Sequence, residues 1–178
     1  MHIGQHYLQT AITTFQSMKS LGDKTFAQLT HEELHFQPSS ESNSIAVIVK
    51  HISGNTRSRW TDIFTTDGEK PDRNRDAEFE GNYESKKALL EAWETGWNIL
   101  FTTLGSLKPD DLERKIKIRG EDHTVLQAIE RQIAHYSNHM GQIVYIGKLI
   151  KNEEWKTLSV ARGKSQEFLQ EMLRKHKN

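Results

Sequence analysis

Three pairs of histidines in this sequence stand four residues apart: His2/His6, His31/His35 and His135/His139. On a helix, residues so spaced differ by about 40° around the axis, so both rings leave on one side and can share one divalent cation. The stretch His31-Glu32-Glu33-Leu34-His35 also fits H-E-x-x-H, in which the glutamate is the general base of a zinc protease. The chain has no cysteine, which excludes thiolate ligands, disulfides and a cysteine nucleophile. Any metal must therefore sit on His, Asp, Glu, Asn or water, a donor set that suits Zn or Ni first, and Mn or Fe as well.

Context separates the three pairs. His2/His6 lies at the chain start, where a ligand pair lacks rigid support. His31/His35 fits the protease pattern by letters only. Thr30 reads as the cap of a helix of one or two turns that Pro38 ends, whereas a zincin needs both histidines within a long helix. Leu34 and Phe36 are expected to pin this piece to the core, with its histidines exposed in a loop. His135/His139 falls in the middle of the strongest helical pattern of the chain, on the shoulder of its apolar stripe, with Gln142 on the same flank. A half-buried polar pair there needs hydrogen bonds or a metal. His51 is the other histidine inside a long helix, with Asn55 four residues on. It reads either as solvent-facing or, if its helix neighbours the one carrying His135 and His139, as a third ligand. Three neutral imidazoles leave coordination positions open for water or substrate, the mark of a catalytic rather than a structural centre.

The elements that must position these residues are helical. A first helix runs from about Ile3 to Leu29, with Leu8, Ala11, Ile12, Phe15 and Met18 as its stripe and Gly22 as a bend or stop. A second long helix starts at Asn43 or Ser44, both good caps, and turns Ile45, Ile48, Val49, Ile52, Thr56 and Trp60 inward, with Ile63 continuing the stripe. A long polar loop, TTDGEKPDRNRDAEFEGNYE, follows. Its charged part, from Gly68 to Glu80, is read as a solvated loop or as a lid or subunit contact, with Phe79 tying one end down. The third long helix starts near Ser85, buries Leu89, Trp93, Trp97, Leu100 and Leu104, and stops at Gly105. KIKIRGED alternates apolar and polar residues, as a short strand or extended connector does. Thr124 and Gln127 form a capping-box pair for the fourth helix, whose inner face is Val125, Ile129, Ile133, Tyr136, Met140, Ile143, Gly147 and Ile150. Trp155 packs against the bundle or a second subunit. A final amphipathic helix, Lys164 to Lys177, is expected to bury Phe168, Leu169, Met172 and Leu173.

The fold class is thus all-α: a four-helix bundle with a long loop between its second and third helices and an extra C-terminal helix, forming one domain over residues 1–178. Lys+Arg and Asp+Glu are both 24, a zero balance that argues against nucleic acid as a partner. No apolar run approaches the ~20 residues needed to cross a bilayer, and no signal peptide is visible, so a cytoplasmic protein without a membrane partner is expected.

The segments NSIAVIVKHISGNTRSRW, GEKPDRNRDAEF, AIERQIAHYSNHMGQIVYIGKLI and WKTLSVARGKSQEF together resemble the DinB/YfiT-like superfamily of metalloenzymes, and most of all a bacterial branch known as a domain of unknown function. The similarity runs from about Leu8 to Phe168. It implies a four-helix bundle with a metal held by one histidine of the second helix and two of the fourth, which here correspond to His51, His135 and His139. It places EELHFQP in the link before the second helix, against the protease reading. Some relatives are transferases or isomerases that use low-molecular-weight thiols such as bacillithiol or mycothiol. The resemblance therefore implies a metal-dependent enzyme acting on a small molecule, with thiol S-transfer as one reaction and metal-dependent hydrolysis as the alternative. Asn55, Arg59 and Gln142 are the candidate catalytic helpers, because Asn55 and Gln142 share flanks with the ligands and Arg59 can reach an anionic group. A homodimer is expected. A non-catalytic dimeric bundle, with the histidines as polar core groups, is the competing reading.

Overall fold

The structure, a computed structural model, describes residues 3–176. Four long helices form the bundle: α1 (Ile3–Phe26), α3 (Ile45–Trp60), α4 (Lys86–Ser106) and α5 (Val125–Lys151). Helix α1 packs against α4 and α5, and α3 packs against the same two. The pairs α1/α3 and α4/α5 therefore sit across diagonals. The α3/α5 contact is the one on which a site shared by His51, His135 and His139 depends.

Local chemistry sets the helix boundaries. Ser44 caps α3 by accepting from the Val47 N–H, and Ser85 caps α4 by accepting from Ala88. Thr124 and Gln127 form the expected capping box at the start of α5. The inward residues of α4 and nearly all of those of α5 are buried in one continuous core, centred on Phe15, Trp60, Trp93, Trp97 and Tyr136. Each large apolar side chain enclosed there contributes about 1.5–3 kcal/mol.

The short α2 (His31–Leu34) has its own capping box, Thr30 with Glu33. It confirms that H-E-x-x-H occupies barely one turn. His35 is part of the scaffold rather than a loose loop residue: its Nδ1 lies 2.8 Å from the His31 carbonyl and its Nε2 accepts from the Tyr83 N–H at 3.1 Å. Leu34 is buried as expected, but Phe36 is 45% exposed and does not pin this piece to the core.

Several expectations are corrected. Gly22 neither bends nor ends α1, which continues to Phe26. It is the place where the Trp93 ring presses on that helix, since a Cβ there would lie 2.5 Å from Trp93 Cζ2. Gly105 does not stop α4, which runs one residue further and is closed by the Leu107 N–H to the Leu104 carbonyl. KIKIRGED resolves into a hairpin of β1 (Lys115–Ile118) and β2 (Glu121–Thr124), antiparallel, with Ile118 opposite Glu121. Its two-residue turn holds Arg119 and Gly120 at positive φ, the pattern of a type I′ turn. The carboxylate of Asp67 accepts from both of their N–H groups, which holds Arg119 in that left-handed conformation. Trp155 sits over Gly147 of α5, on the bundle. The last helix, α6 (Ser165–Lys175), forms but buries none of its residues. The four-helix core is already closed without it, and Phe168, Leu169 and Leu173 are about half exposed. The expected end of this helix at Lys177 and the His2 half of the first histidine pair lie outside the described residues, while His6 is exposed. Among the described residues, no helix is long and apolar enough to cross a membrane.

Candidate metal centre

His51 leaves the middle of α3 and is buried. His135 and His139 leave one face of α5, a turn apart, and are half-buried. The bundle brings all three together: one ring nitrogen from each lies within 4.8 Å of the other two. Nε2 of His135 is 3.2 Å from Nε2 of His51 and 3.0 Å from Nε2 of His139. Nitrogens about a zinc ion bound at ~2.0–2.1 Å in a tetrahedron stand roughly 3.3 Å apart, so the two edges of the triad that meet at His135 approximate those of such a site.

The outer ring nitrogens decide what the inner ones can do. His51 Nδ1 lies 2.9 Å from Oε2 of Glu78, and His139 Nδ1 lies 2.9 Å from Oε1 of Gln142. An oxygen acceptor at Nδ1 keeps the proton there and leaves Nε2 as a lone pair. A neutral His135 has at most one hydrogen at Nε2 and can satisfy only one of its two neighbours. The remaining contact is lone pair against lone pair, and a cation between the rings is what relieves it. The donor set therefore fits a divalent metal. Burial pushes His135 down to about 3, helped by His139, His51 and Arg59, and burial also lowers His139. Both rings are accordingly neutral near pH 7, the ligand form.

Behind His51 stands a buried ion pair that periodicity in the sequence does not reveal. Glu78 closes a 3-10 turn, Asp76–Phe79, in the loop after α3. Arg73 grips it with two parallel bonds, Nε to Oε1 at 2.7 Å and Nη2 to Oε2 at 2.9 Å. Burial opposes ionisation of Glu78, but the bonds from His51 and Arg73 outweigh it and lower its pKa. Gly54 makes room for this carboxylate: a Cβ at position 54 would collide with Oε1 and lie 2.8 Å from Cδ. The loop is thus neither merely solvated nor free. Its anchor is Glu78 rather than Phe79, which is exposed and lays its ring 5.1 Å from that of His51. A cavity of about 500 Å³ between α3 and α4 backs onto Glu78, and none of the three histidines lines it. On the α5 side, His135 and His139 are partly open.

The three candidate helpers are placed differently from one another. Gln142 is exposed and hydrogen-bonded to His139, so it fixes that ring. Asn55 is buried, and its carbonyl accepts from Gln132 of α5 at 3.0 Å, a rung joining the two ligand-bearing helices. Arg59 is buried, two turns along α3 from His51, and its Nε meets no hydrogen-bond partner. Sequence reasoning missed Gln132, and it named Glu78 and Arg73 only as members of a charged run. The one clue in the sequence was an aromatic residue beside that glutamate in an otherwise polar loop.

Comparison with known proteins bears on the fold and the family. No curated protein matches the chain. Among solved structures, the fold is similar to that of a DinB-like protein, YjoA, from Bacillus subtilis, with a TM-score of 0.61 at 16% identity over 83% of this chain and 96% of that one. At that identity the likeness speaks for the fold alone. A family model described as a protein of unknown function, DUF1572, matches residues 2–164. The chain belongs to the DUF1572 family and has a DinB-like, all-α bundle.

Proposed function

We propose that this protein is a divalent-metal-dependent enzyme acting on a small molecule, with His51, His135 and His139 as the metal ligands. The observation that carries the reading is the convergence of three Nε2 atoms, with oxygen acceptors of Glu78 and Gln142 at the outer nitrogens of two of the rings. Hydrogen-bonded core histidines would orient donor to acceptor around the triad, an arrangement that the acceptors at the outer nitrogens of His51 and His139 disfavour. Three protein ligands leave at least one position for a reactant, the pattern of catalytic rather than structural sites. Once bound, the ion supplies Lewis acidity, lowering the proton affinity of the small nucleophile that takes the open position.

The chain's own residues do the positioning. Glu78 and Gln142 hold the rings of His51 and His139 in one tautomer and orientation. Arg73 keeps Glu78 ionised, and the Asn55–Gln132 rung fixes the spacing of α3 and α5. In this reading the nucleophile is a low-molecular-weight thiol supplied as cosubstrate, as the family resemblance implies and as a chain without cysteine allows, and the reaction is then S-transfer. Hydrolysis by activated water is the competing outcome. The test is calorimetric titration of Zn²⁺ and Ni²⁺ into chelator-treated, untagged protein, followed by parallel assays of thiol conjugation and of ester and amide hydrolysis. One ion per chain, abolished by His139→Ala, is expected. No saturable binding would end this reading.

A further inference from the structure

The row His51–Asn55–Arg59 runs along one face of α3, and its last member has no partner. Arg59 is only 6% exposed, yet among the described residues none of its nitrogens meets a hydrogen-bond or ion-pair partner, and Nε is sealed from solvent. A guanidinium so placed is rare, because desolvating a charge is unfavourable unless an anion meets it. The nearby acids are already engaged. Glu69 binds Arg73 and Arg119, Glu78 binds Arg73 and His51, and Asp67 accepts from three backbone N–H groups. Among the surrounding charges, that of Arg131, on α5, acts most strongly on Arg59 and has the same sign. Burial and these like charges together push Arg59 down to about 10, still cationic at neutral pH. Side chains on a helix lean toward its N-terminus, which carries the Arg59 guanidinium toward His51, and its charge is felt at His135. Gly68 closes over its stem, since a Cβ there would lie 3.0 Å from Arg59 Cδ.

We propose that Arg59, with Arg131 beside it, is an anion-binding subsite next to the three-histidine centre, and that the small molecule taken there carries a carboxylate or phosphate group. The proposal rests on the reading of the centre only for where the molecule's other end goes. The rise between residues 51 and 59 is about 12 Å along the helix. The anionic group and the reacting group therefore lie within roughly that span of each other, and a single small metabolite bridges them. The planar guanidinium suits a two-oxygen grip on either anion, whereas an ammonium would offer a point charge.

The test uses the full, untagged chain, metal-free and zinc-loaded, at low ionic strength. Inorganic phosphate and succinate are the probes, followed by calorimetry and thermal melting. At least one probe binds and raises the melting temperature by several degrees. Arg59→Met weakens that binding at least tenfold, Arg59→Lys falls between, and Arg131→Gln, at an exposed position that does not threaten folding, weakens it severalfold. Because it removes an unpartnered buried charge, Arg59→Met melts at or above the parent temperature without probe, and its zinc content is unchanged. The proposal is overturned if neither probe binds, if Arg131→Gln and Arg59→Met bind as the parent does, or if Arg59→Met lowers the melting temperature, which would make the charge structural. Anion binding that depends on Arg59 in a protein that takes up no zinc would uphold the subsite and defeat the metal reading instead. Zinc uptake without any anion response would do the reverse.

Discussion

At the scale of the residue, the account turns on which nitrogen of each ring carries a proton. Glu78 acts on the centre without touching the metal position: it holds His51 by Nδ1 and is itself held by Arg73. Replacing such a partner typically weakens metal binding 10–100-fold, so Glu78→Gln should lower zinc affinity by about that factor in a chelator competition while leaving the helical circular-dichroism spectrum unchanged. Gly54→Ala should do nearly the same from the other side, by pushing the carboxylate off α3. The three histidines were legible in the sequence for two reasons. The i, i+4 spacing gave His135 and His139 directly, and the family resemblance singled out His51, whose position on its own helix wheel was ambiguous. Glu78 was not legible, because its partner is 27 residues away and a loop has no period to reveal which of eight charges turns inward. Arg59 was legible as a cation near the site, but its lack of any partner is a property of packing alone.

Element by element, helix existence followed from apolar stripes and caps, and the errors lie where packing overrides local signals. Two glycines that read as helix stops, Gly22 and Gly105, lie within helices. At Gly22 the reason is visible, since the Trp93 indole fills the space a side chain would need and donates from Nε1 to Asp23 at 2.7 Å. Gly22→Ala should therefore destabilise the fold by about 1–3 kcal/mol despite its better helix propensity, lowering the melting temperature by roughly 2–4 °C for each kcal/mol. The amphipathic pattern of α6 was read as a buried face, yet periodicity reports only that a face is apolar, not that something covers it. The hairpin depends on Asp67. Burial would raise this carboxyl, but N–H donors from Glu69, Gly120 and Arg119 overcome that and lower it below the usual 3.8. A depressed folded-state value means that its contribution is full above the ordinary aspartate range and is lost as pH falls through the lower value. Asp67→Asn should thus cost about 1 kcal/mol at neutral pH and lose that part of the acid dependence, as urea melts at a series of pH values would report.

For the whole molecule, the diagonal arrangement of α1 with α3 and α4 with α5 makes α3 and α5 neighbours, and that adjacency turns two histidine positions far apart in sequence into one centre. The bundle class was readable from helix count and length. The order of helices around the bundle was not, because loop length constrains but does not select among neighbours. The long loop after α3 is what completes the centre, threading Arg73 and Glu78 back over the helix it has just left. The most direct measurement is elemental analysis of the protein purified without an affinity tag, beside His135→Ala and His139→Ala. The account predicts close to one divalent ion per chain in the parent and almost none in either variant, both still helical. A well-folded parent with no stoichiometric metal, even after loading and dialysis, would contradict it.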